Sequence, residues 1–246
     1  MSPSARHRRE QAGLSLIEMM VSLALGLFLV AATAGLLLGQ IQEQRRQLLD
    51  SRLQQELRAV LDLVVRDLRR AGYWGHAVDR AMPTGTPPIN PYQALAPAPA
   101  PAGLQSSIQL GYAYSRDGGA EDDLQGGNER FGLRLNTTSR TLDWRTLGAA
   151  LAPSEADTWQ ALTDPRLIRI TGLQVRSGQT EASLLDQCEL NTCPSPSGPD
   201  CPPRLVQPWV EIEISAEAAA EPTLQRSLSH QVSLRNAWIV GRCPAA

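Results

Sequence analysis

The feature that most constrains this chain is a run of 25 residues near its N-terminus, positions 14–38, with one charged side chain, Glu18. As a helix rising about 1.5 Å per residue, the run would be about 37 Å long, which exceeds the bilayer core of about 30 Å. A cluster of three arginines precedes it, and no further Arg or Lys follows until Arg45. Because basic residues are retained on the cytoplasmic side, the pattern predicts one membrane crossing with a cytoplasmic N-terminus.

Three kinds of N-terminal segment share this outline and differ in processing. A secretory signal peptide would be cut near the small residues at 32–34, but its apolar core would exceed the usual length of about 7–15 residues and would contain a carboxylate. An uncleaved signal anchor fits the length and leaves Glu18 without a role. A prepilin would lose residues 1–13 as a short basic leader and keep the apolar run as an anchor.

Glu18 favours the prepilin. A carboxylate at the centre of a bilayer costs about 2.5–3.5 kcal/mol, so it is a functional candidate. A position near the interface would lower that cost but would give the carboxylate no purpose. Cleavage after Gly13 would make Leu14 the first residue and Glu18 the fifth, and the new amine of one subunit could then pair with Glu18 of its neighbour. Paired charges are tolerated in apolar surroundings, whereas single ones are not.

The N-terminal pattern resembles a known motif. Gly13, Leu14 and Glu18, between a basic leader and a long apolar run, resemble the type IV prepilin cleavage and methylation motif. The resemblance implies cleavage between Gly13 and Leu14 by a prepilin peptidase, N-methylation of Leu14, and a role for Glu18 in assembly. Leu14 departs mildly from the motif, since Phe is commoner at that position.

The helix is predicted to continue beyond the membrane. Apolar residues recur every three or four positions from Ile41 to Leu68, as on one face of an amphipathic helix. Arg69 and Arg70 followed by Gly72 signal its end. We therefore expect one helix of about 55 residues, with a transmembrane half at 14–38 and an amphipathic half at 39–72.

The remainder, 73–246, is predicted to be a β-rich domain outside the cytoplasm. A Pro/Ala-rich stretch at 83–103 favours an exposed, extended loop. Strands are predicted at 108–114, 131–136, 141–144, 167–175, 210–215 and 227–240, and several alternate between apolar and polar residues, as expected for an antiparallel sheet covered on one side. The helix at 45–70 is the predicted cover, and 216–222 is the predicted turn of the last hairpin. The fold class is α+β and type IV pilin-like: a long N-terminal helix packed on an antiparallel sheet with long loops.

Four cysteines, all in the C-terminal quarter, are predicted to form two disulfides: Cys188, Cys193, Cys201 and Cys243. An even number of cysteines in an oxidising compartment favours this over the rival, a zinc site, for which no C-x-x-C spacing is present. Three pairings are open, and one of them joins Cys188 to Cys193 and Cys201 to Cys243.

An acidic, glycine-rich loop contains the weak calcium candidates Asp117, Glu121, Asp122 and Asp123. The loop lacks the EF-hand spacing, and a solvated acidic turn is the commoner outcome, so no metal or cofactor is expected.

Catalysis and nucleic-acid binding find little support. His76 and His230 are isolated, and nucleophile-elbow, zinc-protease, P-loop and dinucleotide-binding motifs are absent from the sequence. The formal net charge is -2, whereas nucleic-acid-binding domains are usually basic. The chain is expected to be a substrate of a peptidase and not an enzyme.

Two further stretches narrow the resemblance. Residues 67–75 and 232–237 resemble the corresponding parts of PilW-like minor pilins. By resemblance, the protein would enter the bacterial inner membrane, be processed, and help to initiate a type IV pilus at or near its tip. Its partners would be other minor pilins, the major pilin and the inner-membrane assembly machinery. The alternatives are a J-type pseudopilin of type II secretion, a periplasmic enzyme, adhesin or binding protein on a signal anchor, and a soluble secreted binding protein.

Overall fold

The computed structural model describes residues 15–78, 88–98, 105–116, 121–190, 192–193, 201–235 and 237–244. The chain divides into two compact units, with the boundary between Leu48 and Leu49. The leader, Gly13, Leu14 and Asp117 lie outside the described residues.

The described part of the first unit belongs to the helix α1, which runs from Leu16 to Leu68 over 53 residues and continues into the second unit. The predicted long helix is therefore confirmed. By length and composition, α1 contains a segment apolar enough to cross a membrane. The hydroxyl groups of Ser22 and Thr33 donate to helix carbonyl oxygens one turn earlier, which satisfies them without solvent.

The part of α1 in the second unit is amphipathic. Its buried side chains recur at helical spacing: Leu53, Leu57, Val60, Leu61, Val64, Val65 and Leu68. These residues belong to the same hydrophobic core as the inward-facing residues of the strands. The prediction that this half of the helix covers the sheet is thus confirmed.

The helix ends four residues before the predicted position. A turn follows Leu68, and Gly72 has a φ of 79°, which only glycine adopts without strain. The N–H of Gly72 donates to the carbonyl oxygen of Ala113 at 2.8 Å, and Asn90 donates to the carbonyl oxygen of Gly72 at 2.9 Å. These bonds turn the chain from the helix onto the sheets.

Among the described residues, nine strands form two antiparallel sheets. The four-stranded sheet has the order β2, β3, β4, β5, with strands at Gln109–Ala113, Arg130–Asn136, Thr141–Leu147 and Thr158–Ala161. The five-stranded sheet has the order β1, β6, β7, β8, and β9 also pairs with β7. Its strands are Gln105–Ser107, Ile168–Ser183, Arg204–Ala218, Glu221–Ser233 and Trp238–Val240. Short 3-10 helices lie at Gly127–Glu129 and Leu185–Gln187.

Six strands were predicted, and each is present in some form. The run predicted at 227–240 is two strands, β8 and β9, and the β7–β8 hairpin turns at 219–220 as expected. Strands β1 and β5 were not predicted. The expectation of an exposed loop across 83–103 holds only in part for its described residues: Ile89 is exposed, but Tyr92 and Leu95 are buried and Ala96 bridges to Gly111.

The carboxylate of Asp67, near the end of α1, is held in place by two tyrosines of the core. Asp67 accepts hydrogen bonds from the hydroxyl groups of Tyr112 and Tyr114, the second at 3.0 Å. Burial, followed by the nearby Asp67 carboxylate, raises the pKa of both tyrosines, so both stay protonated as donors. The Tyr114 ring stacks on Phe131 with 4.1 Å between centroids. Asp67 therefore ties the end of α1 to β2.

The structure contains two disulfides, as predicted, and shows which of the three open pairings forms. Cys188 is bonded to Cys243, and Cys193 to Cys201. The possible pairing of Cys188 with Cys193 and of Cys201 with Cys243 is therefore not the one that forms. All four cysteines are oxidised, which leaves no thiolate for the rival zinc site.

The two disulfides are expected to differ in their contribution to stability. They close loops with sequence separations of 55 and 8 residues. Loop-closure entropy gives about 4 kcal/mol for the long loop and about 2.5 kcal/mol for the short one. Replacing Cys188 and Cys243 by Ser should thus lower the urea midpoint more than replacing Cys193 and Cys201. Peptide mapping without reductant first checks which cysteines are paired. Equal midpoints, or a lower midpoint for the variant without Cys193 and Cys201, would contradict the larger contribution of the Cys188–Cys243 disulfide.

Candidate assembly site and distal acidic loop

Glu18 lies in the first turn of α1. Its Oε2 accepts the N–H of Ser15 at 3.4 Å, and its backbone carbonyl oxygen accepts the Ser22 hydroxyl at 2.7 Å. A carboxylate in the first turn of a helix is favoured by the helix dipole. Glu18 has no cationic partner among the described residues of this single chain. Its charge is therefore not compensated within the described part of the single chain.

The surroundings of Glu18 are apolar on every side of the helix. Leu16, Ile17 and Phe28 are between 70% and 77% exposed. Every described residue up to Leu48 is exposed in the isolated chain. A helix that is apolar all round is stable only in a lipid or protein environment. This segment therefore requires a membrane or a bundle of neighbouring helices.

The acidic loop has a different role from that considered in the sequence. The Glu121 carboxylate accepts the N–H of Gly75 at 2.9 Å and the Tyr92 hydroxyl at 3.1 Å. Asp123 accepts the indole N–H of Trp74 at 2.7 Å and contacts Nδ1 of His76 at 3.2 Å. These bonds attach the loop to the chain segment that follows α1.

The electrostatics of the loop agree with this structural role. Burial alone would raise the pKa of Glu121, but hydrogen bonds from Gly75, Ser115 and Tyr92 hold that pKa below its ordinary value. Burial and the Glu121 carboxylate raise the pKa of Tyr92, so its hydroxyl remains a donor. Asp122 accepts the N–H of Leu124 at 2.8 Å. Within the described ranges, no group of three or more His, Cys, Asp or Glu side chains is placed to hold a metal ion.

Trp74 and Tyr92, which bind the carboxylates of the acidic loop, were not identified from the sequence. Trp74 and Tyr92 are 2% and 0% exposed, and with Ala113 they form a small core separate from the main one. The available signal for Trp74 was its place beside Tyr73, close to the helix end, in a chain with few aromatics, and no comparable signal marks Tyr92. Of the two isolated histidines, His76 faces Asp123, and His230 is exposed on β8.

Two comparisons with known families cover the two parts of the chain. Residues 8–34 match the prokaryotic N-terminal methylation motif, a region that includes Gly13, Leu14 and Glu18. Residues 46–234 match the family described as prepilin peptidase-dependent protein B, which spans more than three quarters of the chain. This chain belongs to that family. No curated protein and no solved structure matches it.

Family membership explains why the N-terminal part of α1 is apolar and exposed. A prepilin peptidase-dependent protein with a methylation motif is type IV pilin-like, and its exposed apolar helix serves as a membrane anchor. The second match includes the amphipathic half of α1 and the strands up to Ser233. It also includes Trp74, Tyr92 and the acidic loop that they bind, so these contacts lie within the family domain.

Proposed function

We propose that this protein is a PilW-like minor pilin that helps to initiate type IV pilus assembly and sits at or near the pilus tip. The observation that carries the proposal is the continuity of a methylation motif with an exposed apolar helix and a family domain. The residues 67–75 and 232–237, which resemble PilW-like proteins, support the narrower assignment. The chain acts as a substrate of prepilin peptidase and as a structural subunit, without catalysis of its own.

The route to the filament follows from the charge pattern and the motif. The basic leader stays in the cytoplasm while α1 crosses the inner membrane and the sheet unit reaches the periplasm. Prepilin peptidase cuts between Gly13 and Leu14, and Leu14 is methylated. Glu18 then pairs with the terminal amine of an adjacent pilin, which neutralises both charges in the helical bundle. Other minor pilins, the major pilin and the inner-membrane assembly machinery are the partners.

A position at the end of the filament suits the size of the domain. About 174 residues follow Gly72, and they include long connections and two disulfides. A shaft subunit packs against neighbours on all sides, so bulky irregular surface is disfavoured there. At the tip, fewer neighbours surround the subunit, and such surface is accommodated without steric conflict.

The test is deletion of the gene, followed by measurement of surface pili and of protein secretion. We expect loss of pili in the deletion strain and trace abundance of the protein, relative to the major pilin, in filaments sheared from wild-type cells. Normal piliation, or a copy number near that of the major pilin, would refute the initiator role. Loss of type II secretion with intact pili would instead identify a J-type pseudopilin.

A further inference from the structure

A groove of about 380 Å³ lies within the sheet unit, between the first turns of α1 that belong to this unit and the ends of two strands. Leu49 and Leu53 form one wall, and Leu167 and Ile168 form the other. Ala218, at the end of β7, and Ala220, in the following turn, complete the lining. The groove exists because these two alanines leave space that larger side chains would fill.

The groove combines an apolar floor with a positive rim. Leu167 is 58% exposed, and its side chain lines the groove without being covered by the rest of the domain. Arg52 and Arg166 line the rim, and both are exposed. Neither guanidinium has an ion-pair or hydrogen-bond partner among the described residues. Glu56 is the one acidic residue among the lining residues, so the net charge of the rim is positive.

Other arginines of the same unit show what such a side chain does when a partner is present. Arg226 pairs with Asp50 at 2.9 Å, and Arg140 pairs with Glu217 at 3.0 Å. Both of these carboxylates belong to this chain. Arg52 and Arg166 instead converge on a cavity from two different elements, which leaves their charge available to an external carboxylate.

We propose that this groove is a docking site for an adjacent pilin-fold subunit, which inserts an acidic segment with an apolar side chain at its centre. The inference rests on the proposed function, because it assumes assembly with other pilins. The apolar side chain fills the space between Leu53 and Leu167, and flanking carboxylates pair with Arg52 and Arg166. Apolar contact supplies affinity, while the charge pairs select and orient the partner.

The acidic loop of this chain illustrates the sequence pattern expected of the occupant. Three consecutive acidic residues, 121–123, precede Leu124, which is 70% exposed. The carboxylates of Glu121 and Asp123 are bonded within this chain, so the occupant is a segment of similar composition on another pilin, with its carboxylates free.

The experiment uses the full-length chain in its host, with a photo-crosslinking side chain at position 167. We expect one adduct with a different protein that carries a prepilin methylation motif, linked through a peptide with Asp or Glu beside an apolar residue. Arg52→Glu combined with Arg166→Glu should lower the adduct yield about tenfold, because two attractions become repulsions. Ala220→Leu should also lower the yield, because it fills the groove without a change of charge.

Matched controls separate docking from folding. Arg58→Glu combined with Arg66→Glu makes the same change of charge on the exposed face of α1, outside the groove, and should leave the yield within about twofold. All variants should keep the wild-type melting temperature. Absence of an adduct, an adduct insensitive to both groove variants, or an adduct between two copies of this chain would overturn the proposal. If the protein enters filaments and the adduct is absent, the docking site is wrong and the proposed function stands; absence from filaments refutes the function itself.

Discussion

Replacement of Gly13 by Val is expected to abolish processing, so that the whole population keeps its leader and none enters filaments. The bond after Gly13 is the cleavage site implied by the methylation motif, and a β-branched side chain next to that bond obstructs the peptidase. Mass spectrometry of the wild-type protein should show a methylated Leu14 at the N-terminus. Because the leader carries three Arg and one Glu, its loss changes the formal net charge from -2 to -4. A wild-type chain that starts at Met1 or Gly35 would contradict the assignment.

Glu18→Ala provides the contrast within the same segment. In the proposed route the peptidase requires Gly13, whereas the carboxylate pairs with a neighbour, so we expect this variant to be cleaved normally and depleted from filaments. Glu18 lies in an exposed apolar segment and has no cationic partner among the described residues of the chain. Its removal should therefore leave the fold intact. Wild-type levels of the variant in sheared filaments would rule out the pairing role.

The helix was predictable because its determinants are local. Apolar residues at a spacing of three or four, together with Gly72 near the end, define α1 without reference to the rest of the chain. The exact end was not predictable, since the last helical residue, Leu68, is followed by a turn whose bonds involve Asn90 and Ala113. Those partners are distant in sequence and are brought near only by the fold.

The disulfide pairing depends on strand register, which a single sequence does not contain. Strand β7 pairs with β6 at Arg204↔Ser183 and with β9 at Arg204↔Val240. Cys188 follows β6 and Cys243 follows β9, so both half-cystines reach the same end of β7. The pairing of Cys188 with Cys193 considered only their proximity in sequence. The division into two sheets was missed for the same reason.

The acidic loop shows how a local composition misleads when its partners are remote. The sequence indicated a solvated turn or a calcium site, since oxygen-rich loops favour both. In the structure, Trp74 and Tyr92 donate to Asp123 and Glu121 across sequence separations of 49 and 29 residues. Protein donors thus satisfy two of the carboxylates that a calcium ion would need, and the loop stabilises the domain beyond α1.

A large effect on stability is expected at Arg145, which is fully buried on β4. Its guanidinium pairs with Asp157 at 3.1 Å and donates to the carbonyl oxygens of Phe131 and Leu151 at 2.6 and 2.8 Å. Arg145→Met would leave these carbonyl oxygens and a carboxylate that is 2% exposed without their partner. Loss of one member of a buried pair costs about 3–5 kcal/mol, and we expect a decrease of this size in the free energy of unfolding.

Arg176→Met is the matched control, because Arg176 also lies on a strand and pairs with Glu211 and Glu213, but its side chain is 35% exposed. Solvent screening should limit its effect to about 0–1 kcal/mol in the same urea titration.

The pH dependence of stability gives a second test of the Asp157–Arg145 pair. Burial raises the pKa of Asp157, but hydrogen bonds from Ser154, Ala149 and Arg145 bring it below the ordinary value of 3.8. The stabilisation by this pair is therefore present above pH 3.8 and is lost as the pH falls through the lowered pKa of the folded state. The wild-type protein should lose more stability across this acidic range than Arg145→Met, and equal losses would show that the Asp157–Arg145 pair does not control acid unfolding.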